Sequence, residues 1–152
     1  MVHQALTFVH LLGFAAYIGA GFAQQQFVTR SGLAGISTAV RDDCERLAAA
    51  IVTKIELPAI LVQVATGVAF VALTPAWLQQ GWLHGKLGCV LLLLVLSHVE
   101  MFNARAIVKA RAAQGEAANL AIAARRKRHA ALGAAGTLAV VALLALVAYG
   151  IG

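Results

Sequence analysis

Charged residues, prolines and cysteines are all scarce in this chain of 152 residues. Charged residues make up 12% and hydrophobic residues 61%, whereas soluble domains contain about 25% charged and about 45–50% apolar residues. So little charge excludes a soluble globular domain and indicates a membrane protein. The length fits one domain, over residues 1–152.

The small numbers of prolines and cysteines further restrict the structural class of membrane protein. Only two prolines occur and the apolar residues are mostly Ala, Leu and Val, which favours helices over a barrel of alternating strands. Cys44 and Cys89 are the two cysteines, and neither lies in a CxxC motif, so we expect no disulfide framework. The net charge of +6 does not indicate a nucleic-acid partner, because the basic residues cluster between apolar runs. We therefore expect an all-α integral membrane protein with the lipid bilayer as its surroundings.

Four apolar stretches have the length of about 20 residues that a helix needs to cross a bilayer core. They predict an up-down bundle of four transmembrane helices, at about residues 4–28, 47–74, 82–108 and 130–151. Lys and Arg lie in the first and third connections, and none lies in the second, "PAWLQQGW". The positive-inside rule then places both termini outside, in a multi-pass protein of the bacterial inner (cytoplasmic) membrane.

Three local features bear on this bundle. Pro58 predicts a kink or a freed carbonyl in the second helix. The block "ARRKRH" at 124–129 is interpreted as an orientation signal, with binding of anionic lipid headgroups as the alternative. The segment 109–129 is Ala-rich, and it either forms an interfacial helix or continues the third helix with a break near Gly115.

Ionisable side chains inside the predicted helices indicate an interior or functional site, and here they form two layers. With a rise of about 1.5 Å per residue, His10 lies about 9 Å below the outer start of the first helix, and Lys86 about 6 Å below that of the third. His3 and His84 lie above them, near the interface. The deeper layer contains His98, which we expect to pair with Glu56 or Lys54; a second ligand site or a proton relay are its alternatives.

His10 is the leading candidate for binding a cofactor. Neutral imidazole is a natural axial ligand of haem iron, and an apolar helical bundle is a natural container for haem. Gly13, Tyr17 and Gln24 share its helix face. Gly13 leaves space for a flat macrocycle, and Tyr17 either stacks on that macrocycle or forms a hydrogen bond at its edge. The alternative is a histidine bonded to a carbonyl of a neighbouring helix.

Lys86 and His84 each have a structural and a functional interpretation. Lys86 either snorkels to the headgroups, forms a salt bridge with a porphyrin propionate, or ligates iron as the neutral amine. His84 is either an interfacial histidine or part of the cofactor site.

The stretches "HLLGFAAYIGAGF", "CERLAAAIVTKIELPAILVQVATGVAF" and "WLHGKLGCVLLLLVLSH" resemble the first three helices of the HemJ-type protoporphyrinogen oxidases. These are small four-helix bacterial membrane proteins that bind haem b, and the related copper-resistance D-type domain shares much of the pattern. The resemblance covers about residues 5–108. It implies that His10 ligates the haem iron, that Lys86 is the essential lysine and that His98 is the distal histidine, with Lys86 or His98 as second iron ligand. Gln26 stands where that family has an arginine, and Tyr17 where it usually has a tryptophan.

Three functions follow as expectations. The first is a membrane haem b protein that transfers electrons, similar to an oxidoreductase of porphyrin biosynthesis, with a porphyrin or a quinol as substrate. The second is a non-catalytic subunit of a larger membrane complex, or a homo-oligomer. The third is a metal-ion transporter that uses His3, His10, His84 and His98 as stepping sites.

Overall fold

The computed structural model describes residues 1–150, and the side chains of residues 1–149. Nearly all of these residues are helical and none lies in a strand, so the predicted all-α membrane class is confirmed. The five α-helices are α1 (Val2–Ser31), α2 (Thr38–Ile51), α3 (Leu57–Leu73), α4 (Gly81–Gln114) and α5 (Asn119–Gly150). A π-helical turn (Val52–Glu56) joins α2 to α3, and 3₁₀ turns (Pro75–Gln79 and Gly115–Ala118) precede α4 and α5. The predicted end of the last helix, at residue 151, lies outside the described residues.

In the part of the chain that the structure describes, three helical segments are long and apolar enough to cross a membrane: Val2–Ser31, Thr38–Leu73 and Gly81–Tyr149. Their number differs from the four separate helices expected, because the segment between the third and fourth apolar stretches is helical. The break predicted near Gly115 is present. Gly115 has a φ of +53°, which favours glycine, and here the chain reverses so that α4 and α5 pack along one another.

The π-helical turn lies directly before Pro58, the residue predicted to disturb the second helix. Proline has no backbone N–H and crowds the carbonyl four residues earlier, so a regular α-helix cannot continue through it unchanged. The chain widens instead, and the Leu57 amide donates to the Val52 carbonyl five residues back. In this turn Glu56 is buried whereas Lys54 is exposed. The widened turn therefore presents a carboxyl group to the interior.

The helices form a ring in which α1 packs against α2, the π-helical turn, α3 and α5, while α4 packs against α5 and α2. Aliphatic side chains and one tyrosine fill the space between them: Tyr17, Val52, Leu57, Ile60, Leu93 and Leu143. The bundle has two ends that differ in chemistry. We call the end with Trp77 and Trp82 the tryptophan end, and the end with Arg111 and Arg126 the arginine end.

A buried carboxylate holds the arginine end together. Glu45 of α2 is 3% exposed and accepts two hydrogen bonds of 3.0 Å from the Arg111 guanidinium of α4. Arg126 of α5 donates a third bond of 2.7 Å. Arg111 also donates to the Gly115 carbonyl at 3.0 Å and to Asn119 Oδ1 at 2.8 Å. One ion cluster thus ties α2, α4 and α5 together where the chain turns.

Candidate cofactor cavity and buried carboxyl cluster

An apolar cavity of about 510 Å³ opens at the tryptophan end of the bundle. This volume falls in the range of about 300–1,000 Å³ that is typical of small-molecule and cofactor sites. Its walls are mostly aromatic and aliphatic, and include Phe14, Phe70, Trp77, Trp82, Leu83, Val90 and Leu143. Its polar lining residues are His10, Tyr17, Gln63 and Lys86. It is an apolar container with few polar groups.

The imidazole of His10 is held in one orientation by α3. Its Nδ1 lies 2.7 Å from Thr66 Oγ1, and the Thr66 hydroxyl donates to the Val62 carbonyl at 2.7 Å. With that one proton donated to Val62, the hydroxyl accepts from His10, and this assignment places the ring proton on Nδ1. Nε2 therefore keeps its lone pair, on a side chain that lines the cavity. The edge of the ring packs on Phe70, with ring centroids 5.8 Å apart.

Lys86 and Tyr17 line the same cavity as His10, from α4 and α1. The matched depths inferred for His10 and Lys86 thus correspond to one shared space. Tyr17 is 9% exposed, and its hydroxyl lies 3.2 Å from Ser97 Oγ of α4. Tyr17 therefore forms the inner wall of the cavity.

Gly13 serves helix packing, and not the cavity. A Cβ atom at this position would lie 2.8 Å from Gln63 Nε2 and 3.2 Å from Val62 Cγ1. The absence of a side chain lets α1 approach α3, and the Gln63 amide donates to the His10 carbonyl there. The space expected for a macrocycle at Gly13 is therefore occupied by α3.

The remaining histidines proposed for the site lie elsewhere. His84 and His98 are exposed, and each bonds to the carbonyl four residues earlier in the chain, Gln80 at 3.2 Å and Leu94 at 2.7 Å. The expected pairing of His98 with Glu56 or Lys54 is wrong, because His98 faces away from the bundle. His3 stacks on Phe70 with ring centroids 6.3 Å apart. Within residues 1–150, no group of three or more His, Cys, Asp and Glu side chains is arranged to hold a metal ion.

A second polar site lies deeper, beneath Tyr17. Ser97 donates to Glu56 Oε1 at 2.8 Å, and Gln25 donates to Glu100 Oε1 at 3.0 Å. The carboxyl groups of Glu56 and Glu100 are close neighbours, and Gln24 reaches both of them.

This site extends to α5 through a histidine. Gln24 Oε1 is hydrogen-bonded to His129 Nε2, and the Gln25 amide donates to the His129 carbonyl at 3.2 Å. His129 is 0% exposed. We call Glu56, Ser97, Glu100, Gln24, Gln25 and His129 the carboxyl cluster.

Sequence reasoning missed most of the carboxyl cluster. His129 was absorbed into the basic block "ARRKRH", yet its side chain is fully buried. One signal was available: His10, Tyr17, Gln24 and Ser31 recur every seven residues, which places them along one helix face. The structure puts three of them, Tyr17, Gln24 and Ser31, in the buried stripe of α1.

The fold and the cavity define a helical, multi-pass integral membrane protein with an internal site open at one end. Its helices expose many large aliphatic side chains, as expected for contact with lipid. The chain belongs to the family described as "Predicted integral membrane protein (DUF2269)", whose model matches residues 4–150. No curated protein and no solved structure matches it significantly.

Proposed function

We propose that this protein binds haem b in the cavity at the tryptophan end, where His10 Nε2 would hold the iron, and that it transfers electrons in the membrane. The observation that carries this proposal is the Thr66–His10 hydrogen bond. Protein groups that bond the second ring nitrogen fix the tautomer and orientation of ligating histidines. Here that bond leaves Nε2 of a half-buried imidazole without a proton, on a side chain that lines an apolar cavity.

The residues around the cavity fit this group. Its aromatic and aliphatic walls exclude water from the apolar body of a porphyrin, and burial is one of the means by which a protein sets a haem potential. Lys86 supplies the one cationic side chain among the lining residues, so it either pairs with a propionate or ligates the iron as the neutral amine. Haem b, when bound, would supply one-electron redox chemistry. The protein's own residues would bind and orient the haem and exclude water from its apolar body.

The resemblance to the HemJ-type oxidases supports the same site. It implied His10 and Lys86 as functional residues, and both line one cavity. His98, also implied by that resemblance, is exposed and is not proposed as a ligand. Gln26 is exposed on α1, so the position of that family's arginine lies outside this cavity. A porphyrin or a quinol remains the proposed electron donor.

We further propose that α4 and α5 each cross the membrane, which gives an up-down bundle of four crossings. At about 1.5 Å per residue, α4 with its 34 residues and α5 with its 32 each measure roughly 50 Å, more than the ~30 Å hydrocarbon core. The reversal at Gly115 returns the chain toward the side it came from. The positive-inside rule then assigns the arginine end to the cytoplasm and both termini to the outside of the bacterial inner membrane.

The transporter alternative has less support from the geometry. A stepping path needs its ligands to line one channel, but His84 and His98 are exposed, and each bonds to the carbonyl four residues earlier in the chain. His10 alone among the histidines lines the cavity.

The proposal is tested by titrating the purified protein with hemin in detergent and recording the visible spectrum. Wild type should give a saturable Soret band, with sharp α and β bands after reduction. His10→Ala should lose this band, whereas His84→Ala, which changes an exposed histidine at the same end, should retain it. Thr66→Val keeps the volume but removes the bond to His10, and should weaken binding by about 10–100-fold, as loss of such a partner does at metal sites. Equal binding by wild type and His10→Ala would refute the proposal.

A further inference from the structure

A second cavity, of about 400 Å³, lies between α1 and α5, next to the carboxyl cluster. Tyr17, Gln24, Gln25, Glu56, Glu100 and Thr137 line its polar side. Its other side is apolar and includes Ile18, Phe22 and Val141, all of them exposed on the bundle surface. Tyr17 lines both this cavity and the haem cavity proposed above. The two spaces are therefore neighbours that share Tyr17 in their walls.

The carboxyl cluster contains two carboxyl groups and neither Lys nor Arg. Its remaining titratable side chain besides these is His129, whose Nε2 bonds to Gln24 and not to a carboxyl group. The charge of the two carboxyl groups is therefore unbalanced unless they hold a proton. Glu56 is 1% and Glu100 5% exposed, and within residues 1–150 the ion pairs involve Glu45 and Asp42 instead. Glu56 is faced by Tyr17 and Gln24 from α1 and by Ser97 and Glu100 from α4. None of these neighbours is cationic. Two adjacent buried carboxyl groups without a cation do not both ionise, because like charges repel strongly at low dielectric.

The environment of Glu56 Oε2 indicates that the pair of carboxyl groups holds a proton. Within residues 1–150, Glu56 Oε2 is buried and receives no hydrogen bond when both carboxyl groups are ionised. The Glu100 carboxyl group lies beside it, and Glu56 lines the second cavity. An ionised oxygen left without a donor in the interior is strongly disfavoured, because burial removes its hydration. A protonated oxygen avoids the charge, and a cavity of this size also has room for water along its polar side.

We propose that Glu56 and Glu100 form a proton-binding site that exchanges its proton with the haem cavity through Ser97 and Tyr17. The Tyr17 hydroxyl lies 3.2 Å from Ser97 Oγ, and Ser97 donates to Glu56 Oε1 at 2.8 Å. A proton that reaches the Tyr17 oxygen lets Tyr17 pass its own proton to Ser97. Ser97 then passes its proton to the Glu56 carboxylate, which becomes a carboxylic acid. Both hydroxyl groups end the transfer unchanged.

The proton-binding site consists only of side chains of this protein. The inference therefore goes beyond haem binding and does not depend on it. Series of Asp, Glu and His side chains within transmembrane segments serve as proton relays in pumps and transporters. Its assay needs no haem, so failure of the haem proposal and failure of this one are distinguishable.

The test of the site uses dicyclohexylcarbodiimide, an apolar reagent that adds the O–H of a protonated carboxyl group across its C=N bond. The purified protein is treated over a series of pH values and the labelled residue is identified by mass spectrometry. We expect label on Glu56 or Glu100 that decreases as pH rises, and loss of this label in the Glu56→Gln, Glu100→Gln double variant. Glu116→Gln, which removes an exposed carboxyl group, serves as the matched control and should label as wild type does.

Two results would overturn the site. One is absence of label on Glu56 and Glu100 at every pH in folded wild-type protein, which requires no variant. The other is protection by sodium ions at constant pH, because a metal cation would then be the ligand.

The route is tested separately, by following hydrogen–deuterium exchange of the carboxyl group through the shift of its C=O stretch in the infrared. Tyr17→Phe and Ser97→Ala should each slow this exchange relative to wild type. Tyr149→Phe, which alters an exposed tyrosine on α5, should exchange as fast as wild type. Equal rates in Tyr17→Phe and wild type would refute exchange through Tyr17.

Discussion

Arg111→Met should destabilise the protein more than any single change on its exposed surface. The substitution keeps much of the aliphatic length of the side chain but removes the guanidinium. Glu45 then loses two of its three charged hydrogen bonds, those of 3.0 Å from Arg111, and keeps the bond of 2.7 Å from Arg126. Breaking a buried ion pair from one side typically costs about 3–5 kcal/mol. Because Arg126 remains, we expect about 3 kcal/mol, the lower end of that range.

The chain provides a matched control for this prediction. Arg46 pairs with Asp42 at 2.9 Å on the surface, where the two side chains are 62% and 29% exposed. Exposed pairs contribute about 0–1 kcal/mol, so Arg46→Met should have little effect. Both variants change arginine to methionine near the same end of the bundle, and they differ mainly in the burial of the pair.

The assay is reversible unfolding in mixed detergent micelles, followed by circular dichroism, with the free energy of unfolding as the measured quantity. A double-mutant cycle with Glu45→Gln isolates the coupling, and the double variant should lose less than the sum of the two single losses. A loss for Arg111→Met within about 1 kcal/mol of that for Arg46→Met would refute the view that the Glu45 cluster holds α2, α4 and α5 together.

Further predictions concern packing, the cavity and topology. Gly133→Ala should lower the free energy of unfolding by about 1–3 kcal/mol, because the added Cβ would overlap the Gln25 amide and break its hydrogen bonds to Glu100 and to the His129 carbonyl. Gly136→Ala, where the added Cβ meets open space, is the control. Equal losses in the two variants would contradict this account of the packing. If Lys86 pairs with a propionate, Lys86→Arg should preserve hemin affinity and Lys86→Ala should lower it. Loss of affinity in both variants, with a changed spectrum, would assign Lys86 as an iron ligand, because arginine does not deprotonate. A reporter fused at the C-terminus should be active only outside the cytoplasm, and cytoplasmic activity would refute the proposed topology.

The similar depths of the residues at the tryptophan end could be predicted from the sequence, because depth along a helix follows directly from residue number. His10 and Lys86 start from the same end of two helices, and a rise of about 1.5 Å per residue puts them at similar levels. Which face a residue occupies needs the packing as well. The buried stripe of α4 runs through Leu93, Ser97 and Glu100, and His98 lies about 100° of helix rotation away from Ser97, on the exposed side.

Other features depend on contacts between residues far apart in the chain. Glu45 and Arg111 are 66 positions apart, and nothing in either local sequence marks them as partners. The early start of α5 at Asn119 was hidden by its basic residues, which marked a connection between spans. Alanine-rich sequence favours helix all the same, and Ile122 and His129 bury one face of that helix against its neighbours.

The haem content of protein expressed with an ample haem supply tests the central claim most directly. The pyridine haemochrome assay, combined with the protein concentration of the monodisperse size-exclusion peak, gives the ratio of haem b to chain. The account predicts a ratio near one haem per chain for wild type and for His98→Ala, and near none for His10→Ala eluting at the wild-type volume. Wild-type protein that carries no haem, or His10→Ala that carries as much as wild type, would contradict it.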